Sequence, residues 1–385
     1  MYKFQYKLMI LLTFLLLTGC WDAKNLELMY YIHSLGFDYK DGQFEIYAQI
    51  INFQAMATGG EGTQAGGSLS FVGYGKGETA VEALHELYSH TDRRILWGHV
   101  SSIVMTQRAL QQEDGILKMH DLLSRYDENR HTVWIFGTTD SPAEILTTPL
   151  VLNISPIFSF LGEPSESYDQ SSLVEPIRLH RLLSLMYEPG QTTIFPILDT
   201  VDSMWFEDEE KLLKSLKIVG AGFLEGETFQ GFLLGDDIKG MPWMNESTVR
   251  KALVLKPDGE PIGTVIIRDP KVNITPKVQA DQVTFDVEVE LIANPVELFD
   301  DITVPEVQKQ VAHLIEEDIR YTYQKGVEKD IDVYQLSHTL YKKSPNLWRE
   351  SIVDGKLPLT PDSLGEVKVN VKVVKTGKDK FKTVK

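Results

Sequence analysis

The sequence predicts a mixed α+β protein, α/β in its first part, built as three consecutive modules after a cleaved signal peptide. Each module is expected to be a mostly antiparallel or mixed sheet with packed helices. Three observations lead there. Strand-like alternation and helix-like periodicity interleave through the first 190 residues; short β-type runs and Gly turns then follow to about residue 263; two long alternating strands, two helices and a last strand close the chain. The expected boundaries are 1–19 for the signal, 20–190 for an N-terminal α/β domain, 191–263 for a small mostly-β middle domain and 264–385 for a C-terminal α+β domain.

The amino terminus reads as a signal. Lys3 and Lys7 give a positive start, and Leu8 to Leu17 is an apolar run too short for the roughly 17–25 residues that span a bilayer. Leu17-Thr18-Gly19-Cys20 resembles a lipobox, in which small residues precede the cysteine that takes a diacylglyceryl group. Cys20 is therefore the expected lipid attachment site and first mature residue. An uncleaved anchor, or a buried Cys acting as a small apolar residue, is the plainer alternative.

Ile32 to Phe53 reads as a hairpin turning at Asp41-Gly42, with Phe44, Ile46, Ala48 and Ile50 on one face. Thr58 to Gly77 holds eight glycines but neither a phosphate-loop lysine nor dinucleotide spacing, and is expected to be a mobile surface loop. Thr79 and Glu82 are spaced to cap a helix to Ser89. A strand (Val100 to Thr106), a helix (Ala109 to Tyr126), a strand (His131 to Thr138) and a helix opened by Ser141-Pro142-Ala143-Glu144 come next. A helix over Leu173 to Tyr187 closes at Pro189-Gly190. Leu216 to Leu224, Thr228 to Leu234 and Lys251 to Leu255 are short strands, and Val265 to Val272 and Val283 to Ile292 are longer ones. The second alternates apolar with acidic residues, as a half-buried strand does. Thr303-Val304-Pro305-Glu306 starts the best-marked helix, with Gly326 as its expected cap. A helix over Asp332 to Tyr341 and a strand over Val367 to Val373 complete the pattern.

With 55 acidic against 38 basic residues the net charge is −17, and loss of Lys3 and Lys7 deepens it. Such a surface repels phosphate backbones, so nucleic acid is excluded as a partner. One cysteine excludes an internal disulfide and any paired-Cys metal site. No metalloprotease, nucleophile-elbow or Walker pattern occurs, so no catalytic, cofactor-binding or metal residues are expected. The residual candidates are His85, His90 and His99 near Asp92. His85 and His90 are five apart and point to different faces of a helix. His120 with Asp121, Arg93-Arg94, and Arg125 with Arg130 read as solvated or structural. Trp97, Trp134, Trp205, Trp243 and Trp348 read as core or edge residues. The run from Glu366 to Lys385 holds seven lysines, which fits contact with anionic headgroups and fits equally an edge strand guarded against aggregation.

Cys20-Trp21-Asp22 followed by Gly36-Phe37-Asp38 resembles the start of the Ger(x)C family, the C subunits of nutrient germinant receptors in endospore-forming bacteria. Thr91-Asp92-Arg93-Arg94 running into Gly98-His99, then Arg125 with the strand after it, and Pro345-Asn346-Leu347-Trp348 resemble further landmarks in the same order. Ala23-Lys24-Asn25 and Asp332-Val333-Tyr334-Gln335-Leu336 depart from the pattern. The resemblance implies a non-enzymatic, three-domain lipoprotein tethered by Cys20 to the outer face of the inner spore membrane. It implies A-type and B-type membrane subunits as partners, and a need for the protein in nutrient-triggered germination. A lipid-anchored extracytoplasmic solute-binding protein is the alternative; a surface hydrolase rests only on the His85–His99 region.

Overall fold

The computed structural model describes residues 29–52, 70–125, 132–206, 212–279, 282–299 and 302–374, with residue 5 alone outside these runs. Cys20, the signal, Arg130 and the lysines beyond residue 374 lie outside the described residues. The fold is mixed α+β, as expected, and is organised around two sheets.

The first sheet begins with β1 (Tyr30–Lys40) and β2 (Gln43–Ile51), an antiparallel pair in which Lys40 faces Gln43. Asp41 and Gly42 both take positive φ (52° and 82°), the two-residue turn whose twist matches the strands it joins. β3 (Ser70–Gly77) adds to β2, so the end of the stretch expected to be a mobile loop is an edge strand. Its glycines serve contact rather than freedom: a Cβ on Gly77 would stand 2.6 Å from the Ala83 backbone nitrogen. They let α1 (Ala80–Ser89) lie directly on the strand. Thr79 caps that helix through the Glu82 N–H (3.1 Å), while the Glu82 carboxylate reaches one residue further back, to the Glu78 N–H (2.8 Å).

β4 (Ile95–Leu96) and β5 (Ser102–Thr106) run parallel to β1, and β6 (Trp134–Thr138) runs parallel to β5. The helix expected over Ala109 to Tyr126 is two helices, α2 (Gln107–Leu110) and α3 (Gly115–Ser124), divided at Asp114 with φ 56°. α4 (Pro142–Thr147) crosses the opposite face of the sheet. After α5 (Pro164–Gln170), β7 (Ile177–Arg178) and α6 (Leu179–Met186) replace the single helix expected over Leu173 to Tyr187. Pro176 lacks the N–H that a helix running through it would need. α1, α3 and α6 share one core with Ile103, Met105 and Ile135, whereas Ile145 and Leu146 of α4 join Val104 and Phe136 on the other face. Successive β5 residues thus feed opposite cores, as the pleat requires.

β8 (Thr192–Phe206), β9 (Leu212–Glu225) and β10 (Thr228–Leu234) continue this same sheet, which holds ten strands on the path β10-β9-β8-β6-β5-β1-β2-β3 with β4 and β7 beside it. The residues 191–263 expected as a middle domain are therefore shared out between the two sheets. The join between β8 and β6 is one parallel partnership, Gly137 opposite Ile197, and pairing across sixty residues leaves no local trace in the sequence.

The second sheet runs β11 (Lys251–Leu255), β12 (Gly263–Gln279), β13 (Gln282–Leu298), β14 (Leu364–Val373). β14 is parallel to β13, and the crossover between them carries α7 (Val304–Glu328), α8 (Leu336–Lys343) and α9 (Pro345–Ser351). Thr303 and Glu306 form the expected capping box. Val307, Val311, Ile315, Ile319 and Tyr323 repeat every fourth residue and are all buried, each contributing about 2 kcal/mol of apolar burial. Gly326 is not the cap; it lies inside α7, where Val333 passes 2.6 Å from the place its Cβ would occupy. Ala221, Phe223 and Leu233 of the first sheet belong to the same core as α7, so one apolar interior joins the two sheets.

Candidate functional site

The two sheets leave a cleft of about 670 Å³ between them, a size that suits a small ligand. One wall comes from Trp134 and the segment Leu173–Arg181, the other from Met241–Ser247 and from α8. Arg178, the N-cap of α6, lays its guanidinium 3.8 Å from the Trp134 ring centre and donates to the Thr132 carbonyl. His180 and Arg181 follow in the first helical turn, where the helix dipole disfavours cations and no acid is present. His338 and Lys342 of α8 add to them, against Glu175 as the one carboxylate of the lining. In a chain of net charge −17 this is a concentration of positive charge, suited to an anion rather than a cation.

The floor of the cleft is the contact between the halves. His338 is 8% exposed, and because the Pro189 carbonyl can only accept, the His338 Nδ1–H donates to it (3.0 Å). Gly190 has φ 65°, and a Cβ there would stand 2.8 Å from Ser337 Oγ and 2.9 Å from Trp348 Nε1. The Trp348 indole donates to Ser337 Oγ (2.9 Å) and meets Tyr341 edge-on at 5.2 Å. Pro345 to Trp348, singled out in the sequence, thus forms a helix that steadies the partner of the Pro189-Gly190 turn. Asp332 accepts from the Leu336 and Ser337 N–H groups (2.9 and 2.8 Å), and burial pushes its pKa up to about 6. On the far side, Lys329 donates to the Phe232 carbonyl (2.8 Å), and Lys356 bridges Gln230, Asp330 and Glu225 at 2.8, 2.7 and 3.4 Å.

The other candidates do not converge. His85 packs edge-on to Tyr88 (5.9 Å), His90 lies against the Glu86 carbonyl (3.0 Å) and His99 against Tyr31 (5.1 Å). Among the described residues no group of three His, Cys, Asp or Glu could hold a metal. Asp121 pairs with Arg125 at 2.6 Å on the surface of α3, and His120 Nε2 lies 3.2 Å from Ser124 Oγ. Asp38 is buried and accepts from Thr106 Oγ1 (2.6 Å) and Arg108 (2.5 Å), which ties β1 to the start of α2. Trp97, Trp134 and Trp243 are buried, Trp348 is half-buried, and Trp205 is exposed at the tip of β8.

One constellation escaped the sequence reading. Ser34 Oγ lies 2.9 Å from His33 Nδ1 and 2.8 Å from Ser102 Oγ, and His33 also meets Gln49 Oε1 (3.1 Å). This has the parts of a nucleophile and base, but His33 is 2% exposed and the group is sealed between strands. Burial pushes the His33 pKa down to about 4, and its Nε2 has no partner. Neighbouring residues of a strand ordinarily point to opposite faces, so a pattern search had no reason to pair His33 with Ser34; a register shift in β1 between Ile32 and Ser34 brings them together.

Two family models together cover nearly the whole chain. That for a spore germination protein N-terminal domain matches residues 22–200, and that described as spore germination B3/GerAC like, C-terminal, matches residues 219–377. Spore germination protein KC of Bacillus subtilis (strain 168) is 21% identical over 96% of this chain and 95% of its own. Spore germination protein B3 of the same organism is 22% identical over 74% and 72%. The putative spore germination protein YfkR is 28% identical, but this match spans about half of each protein (51% and 50%). The crystal structure of the GerBC protein superposes with a TM-score of 0.55 at 14% identity, over 89% of this chain and 97% of that one, which shows a shared fold.

Proposed function

Because the chain belongs to the Ger(x)C family of spore germination proteins, we propose that it is the lipid-anchored C subunit of a germinant receptor, needed for nutrient-triggered germination. The observation that carries this reading is the pair of family matches running in order from residue 22 to residue 377. Cys20 carries the lipid and holds the protein at the outer face of the inner spore membrane, beside A-type and B-type membrane subunits. Among the described residues no helix is long and apolar enough to cross a membrane. Two acyl chains suffice for stable anchoring, and the tether raises the local concentration of the folded part beside its partners. The role is non-enzymatic. In support, the Ser34 and His33 pair, which has the parts of a catalytic dyad, is shut inside the core.

The test is a Cys20→Ala substitution at the native locus of a strain lacking paralogous receptors. Spores should form normally, respond weakly to nutrients and release the protein from membrane fractions. Normal germination at every nutrient concentration would overturn the proposal.

The cleft favours a second reading, solute binding by this subunit itself, with a small carboxylate or phosphate held between Arg181 and Lys342. Calorimetry of the purified chain with glutamate and with inorganic phosphate separates the two. Saturable micromolar binding lost in Arg181→Ala supports the second reading, and absence of heat with either solute removes it.

A further inference from the structure

β1, β5, β6 and β8 are parallel, so their first residues lie at one end of the large sheet. Tyr30, where the chain arrives from Cys20, is at this end. α4 leads back to the same end. Its first residue, Pro142, lies against Gly36 in the middle of β1, and the Leu146 carbonyl accepts from Gln49 (2.8 Å), which faces Ser34 nearer the start of the strand. The chain then runs through Pro149 to Phe160 and returns to Trp134, the first residue of β6, whose indole donates to the Gly162 carbonyl (3.1 Å).

That loop is built inside out. Ser155 and Ser159 are buried and hold it together. Ser159 Oγ donates to the Pro156 carbonyl (2.7 Å) and accepts from the Leu161 N–H (3.1 Å), while the Phe158 N–H donates to the Ser155 carbonyl (3.0 Å). The large apolar side chains point outward: Leu152 is 89% exposed, Phe158 70%, and Ile154 is exposed beside them. Leu152 also has φ 60°, a conformation that costs a non-Gly residue energy and that nothing in the core repays. A loop that turns hydroxyls in and Leu, Ile and Phe out is shaped for a surface other than water.

We infer that this loop is the membrane-contacting surface, with Leu152, Ile154 and Phe158 entering the boundary between headgroups and acyl chains of the bilayer that carries the anchor. The inference rests on the proposed acylation of Cys20. Tyr30 is ten residue steps from Cys20, a reach of at most about 35 Å whatever the conformation, so the end of the sheet that holds the loop stays close to the bilayer. Arg93 and Arg178 lie over the Tyr30 and Trp134 rings at the same end (5.7 and 3.8 Å), the pairing of cation and aromatic ring that suits an interface with headgroups. A second exposed apolar group, Trp205, Phe206 and Leu212, lies at the opposite end of the sheet.

The test uses the full acylated chain in vesicles of phosphatidylcholine and phosphatidylglycerol. With Cys20 acylated, a cysteine introduced by Leu152→Cys, Phe158→Cys or Phe206→Cys is the sole free thiol, and is labelled with an environment-sensitive fluorophore. Spin-labelled lipids should quench positions 152 and 158 at least threefold more than position 206. Flotation with the vesicles but no quenching at 152 and 158, or stronger quenching at 206, would overturn the inference and leave the anchor standing. Failure of the protein to float with the vesicles would overturn the anchor and the inference with it.

Discussion

Acid should act on the two halves of this protein in opposite directions. His33 titrates near 6.5 when unfolded and near 4 when folded, because burial disfavours its charged form. At neutral pH the ring is neutral in both states. As the pH falls from 6.5 to 4 only the unfolded state takes the proton, and stability falls by about 1.4 kcal/mol per pH unit, about 3 kcal/mol in all. Asp332 goes from 3.8 unfolded to about 6 folded, so as the pH falls from 6 to 3.8 the folded state is protonated first and gains up to about 3 kcal/mol. Their contributions oppose each other, and the wild-type curve hides both. His33→Asn keeps a hydrogen-bonding amide near Gln49 and cannot titrate, and Asp332→Asn keeps an acceptor for the Leu336 and Ser337 N–H groups. Urea denaturation of the three proteins, followed by tryptophan fluorescence at pH 7, 6, 5 and 4, separates the terms. Relative to wild type, His33→Asn should gain about 3 kcal/mol between pH 7 and pH 4, and Asp332→Asn should lose a similar amount. Parallel pH dependence for wild type and His33→Asn would refute the reasoning. His33 lies in β1 and Asp332 between α7 and α8, and they share no hydrogen-bond partner, so the double variant should show the sum.

Two further substitutions test the packing. Gly190→Val places a branched side chain at φ 65° against Ser337 and Trp348, and should cost about 2 to 4 kcal/mol; calorimetry should show the single unfolding transition broaden or divide as the halves lose their contact. Asp199 is buried and accepts from Thr138 Oγ1 (2.7 Å), the Thr139 N–H (2.8 Å) and Thr139 Oγ1 (2.5 Å), which tie β6 to β8. Asp199→Ala leaves those donors unpaired and should lower stability by about 3 kcal/mol by urea denaturation, whereas a change below 0.5 kcal/mol would mean that water replaces the carboxylate without cost.

What could be read from the sequence was local chemistry. Asp41-Gly42 and Thr303 with Glu306 each act through residues a few positions apart, and each formed the element expected of it. Misreadings came where distant residues decide. Gly73, Gly75 and Gly77 looked like freedom and are room for α1; Gly326 looked like a stop and is a gap for Val333. Strands 192–234 looked like a separate module because nothing near Ile197 announces Gly137 as its partner. The cleft was invisible for the same reason: Arg181 and Lys342 are 161 positions apart, and each alone reads as a solvated cation. The His33 cluster depended on an irregularity in β1 that no pattern of residue types encodes.

The hairpin of β8 and β9 decides how this protein can be divided. The two family models part between residues 200 and 219, which falls within these paired strands rather than in a linker. A polypeptide ending near residue 200 would present the whole hydrogen-bonding edge of β8 to solvent, a template for joining other chains. One starting near 219 would carry only half of β9, paired with β10 but without β8, with Phe223 and Leu233 against α7. Neither piece keeps all the strand pairing that its core uses. Attempts to express the halves separately should yield aggregates from the first piece, and soluble protein from the second only where β8 is carried with it.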